Sequence, residues 1–301
     1  MKLSILYRGP LASCNYGCEY CPFAKRKESA AEHAADAAAL TRFITRIAEL
    51  REHRFSILFT PWGEALIQPR YQRALAELCA MQHVERAAIQ TNLAGRLEWT
   101  ETCDREKLAL WTTFHPGETD LAAFAARCHW LYERRVRFSV GVVGMKEHLA
   151  AAETLRRALP ADVYLWVNAY KRVPDYYTAA ERESVAGLDP LFAYNAAAHA
   201  SRGELCHTGH TVFSVNGDGQ MRRCHFVSET IGNFYGPGFI AALQPRVCPA
   251  ERCGCHIGYV HLARLGLDRV FGDGILERIP YRTAASGMLR LDPPVSGVEE
   301  N

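Results

Sequence analysis

Three cysteines lie close together near the start of the chain, in the stretch Cys14-Asn15-Tyr16-Gly17-Cys18-Glu19-Tyr20-Cys21. The spacing, three residues and then two, lets all three thiols reach one metal centre. A structural zinc site closes with four ligands. A [4Fe–4S] cluster held by only three cysteines keeps one iron free to bind another molecule. The pattern favours a catalytic iron–sulfur site, and a zinc knuckle or a set of free thiols is the alternative.

The cysteines follow a segment that is predicted to be a strand. Residues 3–7 form a short apolar run that leads directly into the cysteine loop. Gly17 lets this loop turn back on itself, and Pro22 stops it from continuing straight into a helix. The thiols are therefore expected at the end of the first strand.

Cys-x3-Cys-x-aromatic-Cys in a loop after the first strand resembles the motif of the radical S-adenosylmethionine (radical SAM) enzymes. The resemblance implies that Cys14, Cys18 and Cys21 ligate a [4Fe–4S] cluster and take part in catalysis. The free iron would bind the amino and carboxylate groups of S-adenosyl-L-methionine (SAM), and one electron would cleave SAM to a 5′-deoxyadenosyl radical. The resemblance also implies that Tyr20 packs near the adenine.

Composition excludes several other classes of protein. The 301 residues are 49% hydrophobic and 23% charged, and 35 basic against 33 acidic residues give a net charge of +2, so no nucleic-acid partner is indicated. An odd number of cysteines, 11, fits metal binding better than a disulfide framework. Because the sequence shows no signal peptide and no long apolar run, we expect a cytoplasmic protein without a membrane partner.

Strands and helices alternate through the first half of the sequence. Hydrophobic periodicity predicts strands over 3–7, 54–59, 87–92, 108–114, 137–143 and 163–168, and helices over 29–50, 69–81, 120–133 and 146–158. This order predicts an α/β fold with parallel strands and right-handed crossovers. No Gly-x-Gly-x-x-Gly follows a strand, which favours a (βα)6 partial TIM barrel over a doubly wound sheet. The resemblance implies the same barrel, over residues 1–175.

Chemistry in such barrels is located at the carboxyl ends of the strands. Pro61-Trp62-Gly63-Glu64-Ala65-Leu66, after the second strand, resembles the Gly-Gly-Glu-Pro-Leu motif that binds the SAM ammonium group, with tryptophan and alanine as departures. By this resemblance Gly63 and Glu64 are SAM-binding residues. The Gly-Glu pair alone is an ordinary turn.

Three further strand ends carry candidate SAM contacts. The stretch 140–147 resembles the family's Gly-x-Ile-x-Gly-x-x-Glu motif, which implies that Val142 packs against the adenine and that Gly144 permits a close approach of the backbone. Thr113 and His115 end the fourth strand, where relatives bind the ribose or the carboxylate of SAM. His115 could also be an acid or base on the substrate side. Asn92 occupies the end of the third strand.

A second group of five cysteines lies after residue 175, where the alternation of strands and helices stops. Asn216-Gly217 predicts a hairpin that brings Cys206 and Cys224 together. Cys248, Cys253 and Cys255 follow, and the thiol-rich group predicts a metal site with zinc as the competitor.

The hairpin spacing resembles the Twitch domain, the shortened form of the SPASM domain. This resemblance implies that four of the five cysteines hold an auxiliary [4Fe–4S] cluster within residues 176–283, and that a helix over about 257–267 caps the domain. Cys206, Cys224 and Cys253 are favoured, Cys255 is slightly preferred to Cys248 as the fourth ligand, and the choice between these two stays open. Residues 284–301 are predicted to be a flexible tail.

Two clusters imply a redox enzyme that abstracts a substrate hydrogen and carries out an oxidative modification of a small metabolite or a peptide. The resemblance implies an electron donor of the flavodoxin or ferredoxin type. The alternative is a non-enzymatic zinc or iron–sulfur scaffold or sensor, which would require two closed sites with four ligands each.

Overall fold

The computed structural model describes residues 1–23 and 27–281. The tail predicted over 284–301 lies outside the described residues. The strands are β1 Lys2–Arg8, β2 Arg54–Phe59, β3 Val84–Thr91, β4 Leu108–Phe114, β5 Arg137–Gly144, β6 Leu165–Ala169, β7 His199–Ala200, β8 Leu205–Cys206, β9 Val212–Asn216, β10 Gln220–Arg222, β11 Thr230–Asn233, β12 Arg246–Val247 and β13 Arg252–Cys253. The helices are α1 Ala30–Glu49, α2 Pro69–Ala80, α3 Leu121–Glu133, α4 Leu149–Ala158, α5 Ala179–Leu188, α6 Phe192–Ala196, α7 His256–Tyr259 and α8 Leu267–Phe271.

The main sheet contains nine strands in the order β11-β10-β9-β1-β2-β3-β4-β5-β6. Strands β1 to β6 are parallel neighbours, so the predicted α/β fold with a parallel core is confirmed. The carboxyl ends of all six strands therefore meet at one edge of the sheet, where the first cysteine loop, Gly63, Asn92 and His115 lie.

Hydrophobic side chains cover the two faces of this sheet. On one face, the apolar side of α1, with Phe43 and Ile47, packs against Leu3 and Ile5 of β1 in the largest buried cluster. On the opposite face, Leu6, Leu58, Ala88, Trp111 and Trp166 of the parallel strands form a smaller cluster with Ile257 and Leu276. Strand residues alternate between the two clusters because successive side chains of a strand point to opposite faces.

The helices begin where the sequence provides caps. Ser29 and Glu32 form a capping box at α1, and Thr178 and Glu181 form another at α5. These side chains satisfy backbone N–H groups that have no partner within the helix. The first cap fixes where α1 starts after the cysteine loop.

The predicted hairpin forms, but it belongs to the main sheet. Strand β9 pairs with β1 in parallel, from Ser4 opposite Val212 to Arg8 opposite Asn216, and β10 folds back antiparallel on β9. The sheet therefore crosses residue 175, where the sequence predicted a change of domain.

The single capping helix predicted over 257–267 is wrong. The chain forms two short helices, α7 and α8. Between them, Leu262 pairs with Cys206 in an isolated antiparallel β-bridge. Gly266 then adopts the left-handed conformation, with φ of 57°, which interrupts a helix. Helical periodicity does not reveal such an interruption.

Within residues 1–23 and 27–281, no helix combines the length and the apolar character needed to cross a membrane.

Candidate functional site

The cysteine loop between β1 and α1 is fixed at its start by the carboxylate of Glu28. This carboxylate accepts hydrogen bonds from the backbone N–H of Ala12 (2.9 Å) and from both the N–H (3.1 Å) and the hydroxyl (2.7 Å) of Ser13. The backbone just before Cys14 is therefore tied to the start of the first helix.

The turn after β2 packs directly against this loop. Glu64 donates its backbone N–H to the carbonyl of Ser13 at 3.1 Å. A Cβ atom added at Gly63 would lie only 1.8 Å from the same carbonyl oxygen. A residue without a side chain is thus required at position 63, because both partners in this contact are backbone.

The Glu64 side chain is buried and bonded to its own chain. Its carboxylate accepts hydrogen bonds from the backbone N–H of Leu66 (3.0 Å), the hydroxyl of Thr91 (2.8 Å) and the backbone N–H of Asn92 (2.5 Å). Burial raises the pKa of Glu64 to about 7. The carboxylate joins the ends of β2 and β3.

All three thiols of the loop lie at the carboxyl end of β1. Cys18 is buried, and Cys14 and Cys21 are half-buried. The N–H of Tyr16 donates to the sulfur of Cys14 (3.5 Å), and the N–H of Phe23 donates to the sulfur of Cys21 (3.4 Å). Such N–H to sulfur bonds are typical around iron–sulfur ligands. Cys21 interacts electrostatically with each of the other two thiols, so the three lie in the same part of the loop.

His115, at the end of β4, lies against the same loop. Its Nδ1 is 3.4 Å from the sulfur of Cys18 and 2.8 Å from the hydroxyl of Tyr20. The rings of Tyr20 and His115 are nearly parallel, 6.0 Å apart. Burial, reinforced by His148, lowers the pKa of His115 to about 4, so the imidazole is neutral near pH 7.

Asn92 and Thr113 lie on neighbouring strand ends. Asn92 donates its side-chain N–H to the side-chain oxygen of Asn15, within the cysteine loop, at 2.9 Å. Thr113 is half-buried and lies opposite Gly141 in the register of β4 and β5. Asn92 thus contacts the loop directly, and Thr113, on β4, lies two residues before His115.

Val142 and Gly144 are placed differently from the other candidates. The Val142 side chain belongs to the cluster that packs under the helices, while Val143 occupies the opposite face of β5. A Cβ at Gly144 would lie 2.6 Å from the hydroxyl of Tyr177, which donates to the Gly144 carbonyl. The close approach expected at Gly144 is therefore made by a tyrosine of this chain.

Three residues that sequence reasoning missed complete the surroundings of the loop. The ring of Tyr16 packs edge-on against His115 at 5.7 Å, and the ring of His148 packs edge-on against Tyr20 at 5.3 Å. Glu118 accepts the N–H of Gly17 at 3.1 Å. Glu118 lies three residues after His115, a proximity that could have drawn attention to it, whereas His148 stands after β5 without a motif.

The second group of cysteines lies in short strands and their ends. Cys206 is in β8 and Cys253 is in β13, Cys248 directly follows β12, and Cys224 lies two residues after the end of β10. Pairing of β8 with β12 and of β7 with β13 draws these segments together. Cys255 directly precedes α7.

The structure brings all five of these thiols into one neighbourhood, with Cys253 at its centre. Burial and the nearby thiols of Cys224, Cys255, Cys206 and Cys248 raise the pKa of Cys253 to about 12. Backbone N–H groups of residues 226 and 227 donate to Cys224. The group is rich in thiols and in donors to sulfur, which fits a thiolate-bound cluster.

Cys255 differs from the others in the charges around it. Cys255 is the exposed member of the group, and Lys171, Arg278 and Arg8 lie near enough to its thiol to act on its charge. Lys171, just after β6, donates to the Gly254 carbonyl, and its own pKa falls to about 8 because of burial. Cys255 therefore faces the ends of β1 and β6.

Among the residues that the structure describes, no three cysteine, histidine, aspartate or glutamate side chains are placed to hold a single metal ion. Zinc requires donors about 2.0–2.3 Å from one point. Each iron of a four-iron cluster binds its own thiolate, so the sulfur atoms need not meet at a point.

No protein-family model and no curated protein matches the sequence. Solved structures do match the fold. Native anSMEcpe with bound AdoMet superposes with a TM-score of 0.52 and 14% sequence identity, over 77% of this chain and 78% of that chain. Native anSMEcpe with bound AdoMet and Kp18Cys peptide also superposes with a TM-score of 0.52 and 14% identity, over 77% of each chain. The chain thus shares the fold of a radical SAM enzyme, as the cysteine motif predicted.

Proposed function

We propose that the protein is a radical SAM enzyme. The observation that carries the proposal is the position of Cys14, Cys18 and Cys21 in one loop at the carboxyl end of β1, in a fold shared with anSMEcpe. A [4Fe–4S] cluster bound there would supply the electron that cleaves SAM to a 5′-deoxyadenosyl radical. The barrel form of the sheet and the cluster itself are parts of this proposal.

The residues around the loop would hold its thiols in a fixed arrangement. Glu28 and Gly63 fix the backbone before Cys14, and the N–H groups of Tyr16 and Phe23 face two of the sulfur atoms. SAM would lie at the strand ends beside His115 and Asn92. Glu64 would act through the backbone of its turn, because its carboxylate already bonds three groups of this chain.

We propose further that four of the five cysteines 206, 224, 248, 253 and 255 hold an auxiliary [4Fe–4S] cluster. The support is the shared neighbourhood of the five thiols. The auxiliary site would lie near the substrate and accept an electron from it. Oxidative modification of a small molecule or a peptide is the reaction class that this arrangement suits.

The test is SAM cleavage by the anaerobically reconstituted protein with dithionite, measured as 5′-deoxyadenosine by mass spectrometry. Wild type should form 5′-deoxyadenosine, and Cys18→Ala should not, because the site would lose one of three ligands. Cys128→Ala, which removes a buried thiol of α3, is the matched control and should keep the activity. Equal activity of Cys18→Ala and wild type would sink the proposal, and an inactive wild type with bound metal would favour the scaffold alternative. A reduced flavodoxin or ferredoxin should also support 5′-deoxyadenosine formation when it is used in place of dithionite.

A further inference from the structure

A cleft of about 700 Å³ opens between α1, the β9–β10 hairpin and the turn after β2. Three arginines line it: Arg8 at the end of β1, Arg42 on α1 and Arg222 at the end of β10. Asp218 is the single acidic residue in its lining, and it faces Arg42 at 3.9 Å. The cleft is therefore strongly basic near Arg8 and Arg222.

The guanidinium group of Arg8 is held in a fixed position. Its Nε donates to the carbonyl of Thr60 at 2.7 Å, and its plane covers the indole of Trp62, with Cζ 4.1 Å from the ring centroid. These contacts use Nε and one face of the guanidinium group, whose planar geometry suits bidentate binding of an oxyanion.

Arg222 and His225 complete the same end of the cleft. The imidazole of His225 bonds the Thr60 hydroxyl at 2.9 Å and is electrostatically coupled to both Arg8 and Arg222. Two positive groups thus flank one small volume. Within residues 1–23 and 27–281, no carboxylate forms an ion pair with Arg8 or Arg222.

A partly buried cation without a partner is costly, because burial removes the water that would stabilise its charge. Burial lowers the pKa of Arg8 to about 10, which reflects this cost. The Cys255 thiol offsets part of the charge of Arg8. A ligand that carries an oxyanion would satisfy both arginines.

We infer that this cleft binds the anionic group of the substrate, a carboxylate or a phosphate, between Arg8 and Arg222. The inference rests on the proposed function, because only an enzyme has a substrate to bind here. Trp62 precedes the glycine that contacts the cysteine loop, and His225 follows Cys224, so the lining of the cleft includes a sequence neighbour of each site. Small side chains of α1, Ala35 and Ala38, form the outer wall and leave room for an apolar part of the ligand.

The test is equilibrium binding of two probes, phenyl phosphate and benzoate, to the anaerobically reconstituted full chain without SAM or reductant. The stronger probe identifies the anion as phosphate or carboxylate. Arg8→Gln and Arg222→Gln should each weaken its binding by about tenfold or more, as expected for loss of a charged hydrogen bond. Arg73→Gln, which removes one exposed charge on α2, should bind it like wild type.

Any of the following results would overturn the inference: binding of neither probe by wild type, equal binding by wild type and both cleft variants, or, in a separate SAM-binding measurement, an equal loss of SAM binding in those variants. The last result would show that the arginines bind the carboxylate of SAM. Loss of iron in Arg8→Gln would likewise count against it, by showing that Arg8 supports the thiolates. Because the assay needs no SAM cleavage, a positive result stands even if the proposed radical chemistry fails, and a negative one leaves that chemistry untouched.

Discussion

Glu64 and Asn92, which follow β2 and β3, connect neighbouring segments of the site through their hydrogen bonds. The sequence predicted Glu64 as a SAM ligand, and the structure shows its carboxylate joining β2 to β3. Asn92 is similar, since its backbone bonds Glu64 and its side chain bonds the cysteine loop. A motif identifies such residues, but their bonding partners depend on packing between distant segments.

Glu64 should give the protein a specific pH dependence of stability. Its pKa rises from 4.5 in the unfolded chain to about 7 in the folded one. Folding therefore takes up a proton between these values, and the stabilisation, full below about pH 4.5, is lost as the pH rises towards 7. The free energy of unfolding should change by an amount on the order of 3 kcal/mol over this pH range.

Glu64→Gln removes this titration, so urea unfolding of both proteins between pH 5 and 7.5 measures it. The free energy of unfolding should fall more steeply with pH in wild type than in the variant. Parallel curves would show that the folded carboxyl titrates at its ordinary pKa.

At the scale of elements, the turn after β2 and the cysteine loop form one backbone contact. Gly63→Ala would place a Cβ 1.8 Å from a carbonyl oxygen, and no side chain can move to relieve that clash. Overpacking of this kind costs about 1–3 kcal/mol. We expect a lower melting temperature together with loss of iron from the loop.

Gly187→Ala in α5 is the matched control for Gly63→Ala. No atom lies within 4 Å of the added Cβ at Gly187, and alanine stabilises a helix relative to glycine by up to about 1 kcal/mol. Its melting temperature should stay equal or rise. Full iron content in Gly63→Ala would contradict the prediction, because it would show that the cysteine loop binds iron even when the added Cβ displaces it.

Local elements were predictable because each depends on its own segment. Strand β4 matches its predicted bounds, and α1, α2 and α3 lie within one residue of theirs at each end, since apolar periodicity and caps such as Ser29 act locally. The pairing of β9 with β1 was not predictable, because it joins residues about two hundred positions apart. Likewise, the orientation of Val142 towards the helices depends on the pleat of the assembled sheet.

For the whole molecule, two groups of thiols in one chain predict an iron count. Wild type should bind about eight irons as two [4Fe–4S] clusters, and Cys224→Ala about four. Because Cys224 lies outside the loop of Cys14, the variant should still form 5′-deoxyadenosine. The triple variant of Cys14, Cys18 and Cys21 to alanine should also keep about four irons, but without SAM cleavage.

Iron analysis and the 5′-deoxyadenosine assay on the same samples test the independence of the two sites. Loss of all iron in Cys224→Ala would contradict it. Zinc in the triple variant, without iron, would favour a structural metal for the second group.

The parallel pairing of β1 with β9 also has a consequence for the nascent chain. On a ribosome that adds about 5–20 residues per second, roughly two hundred residues separate synthesis of β1 from that of its partner at Ser4 and Val212. One edge of β1 therefore remains unpaired for about 10–40 s. During this time the thiols that follow β1 are part of an incomplete sheet. Delivery of iron and sulfide during this interval would act on a chain that has not yet acquired its second group of cysteines.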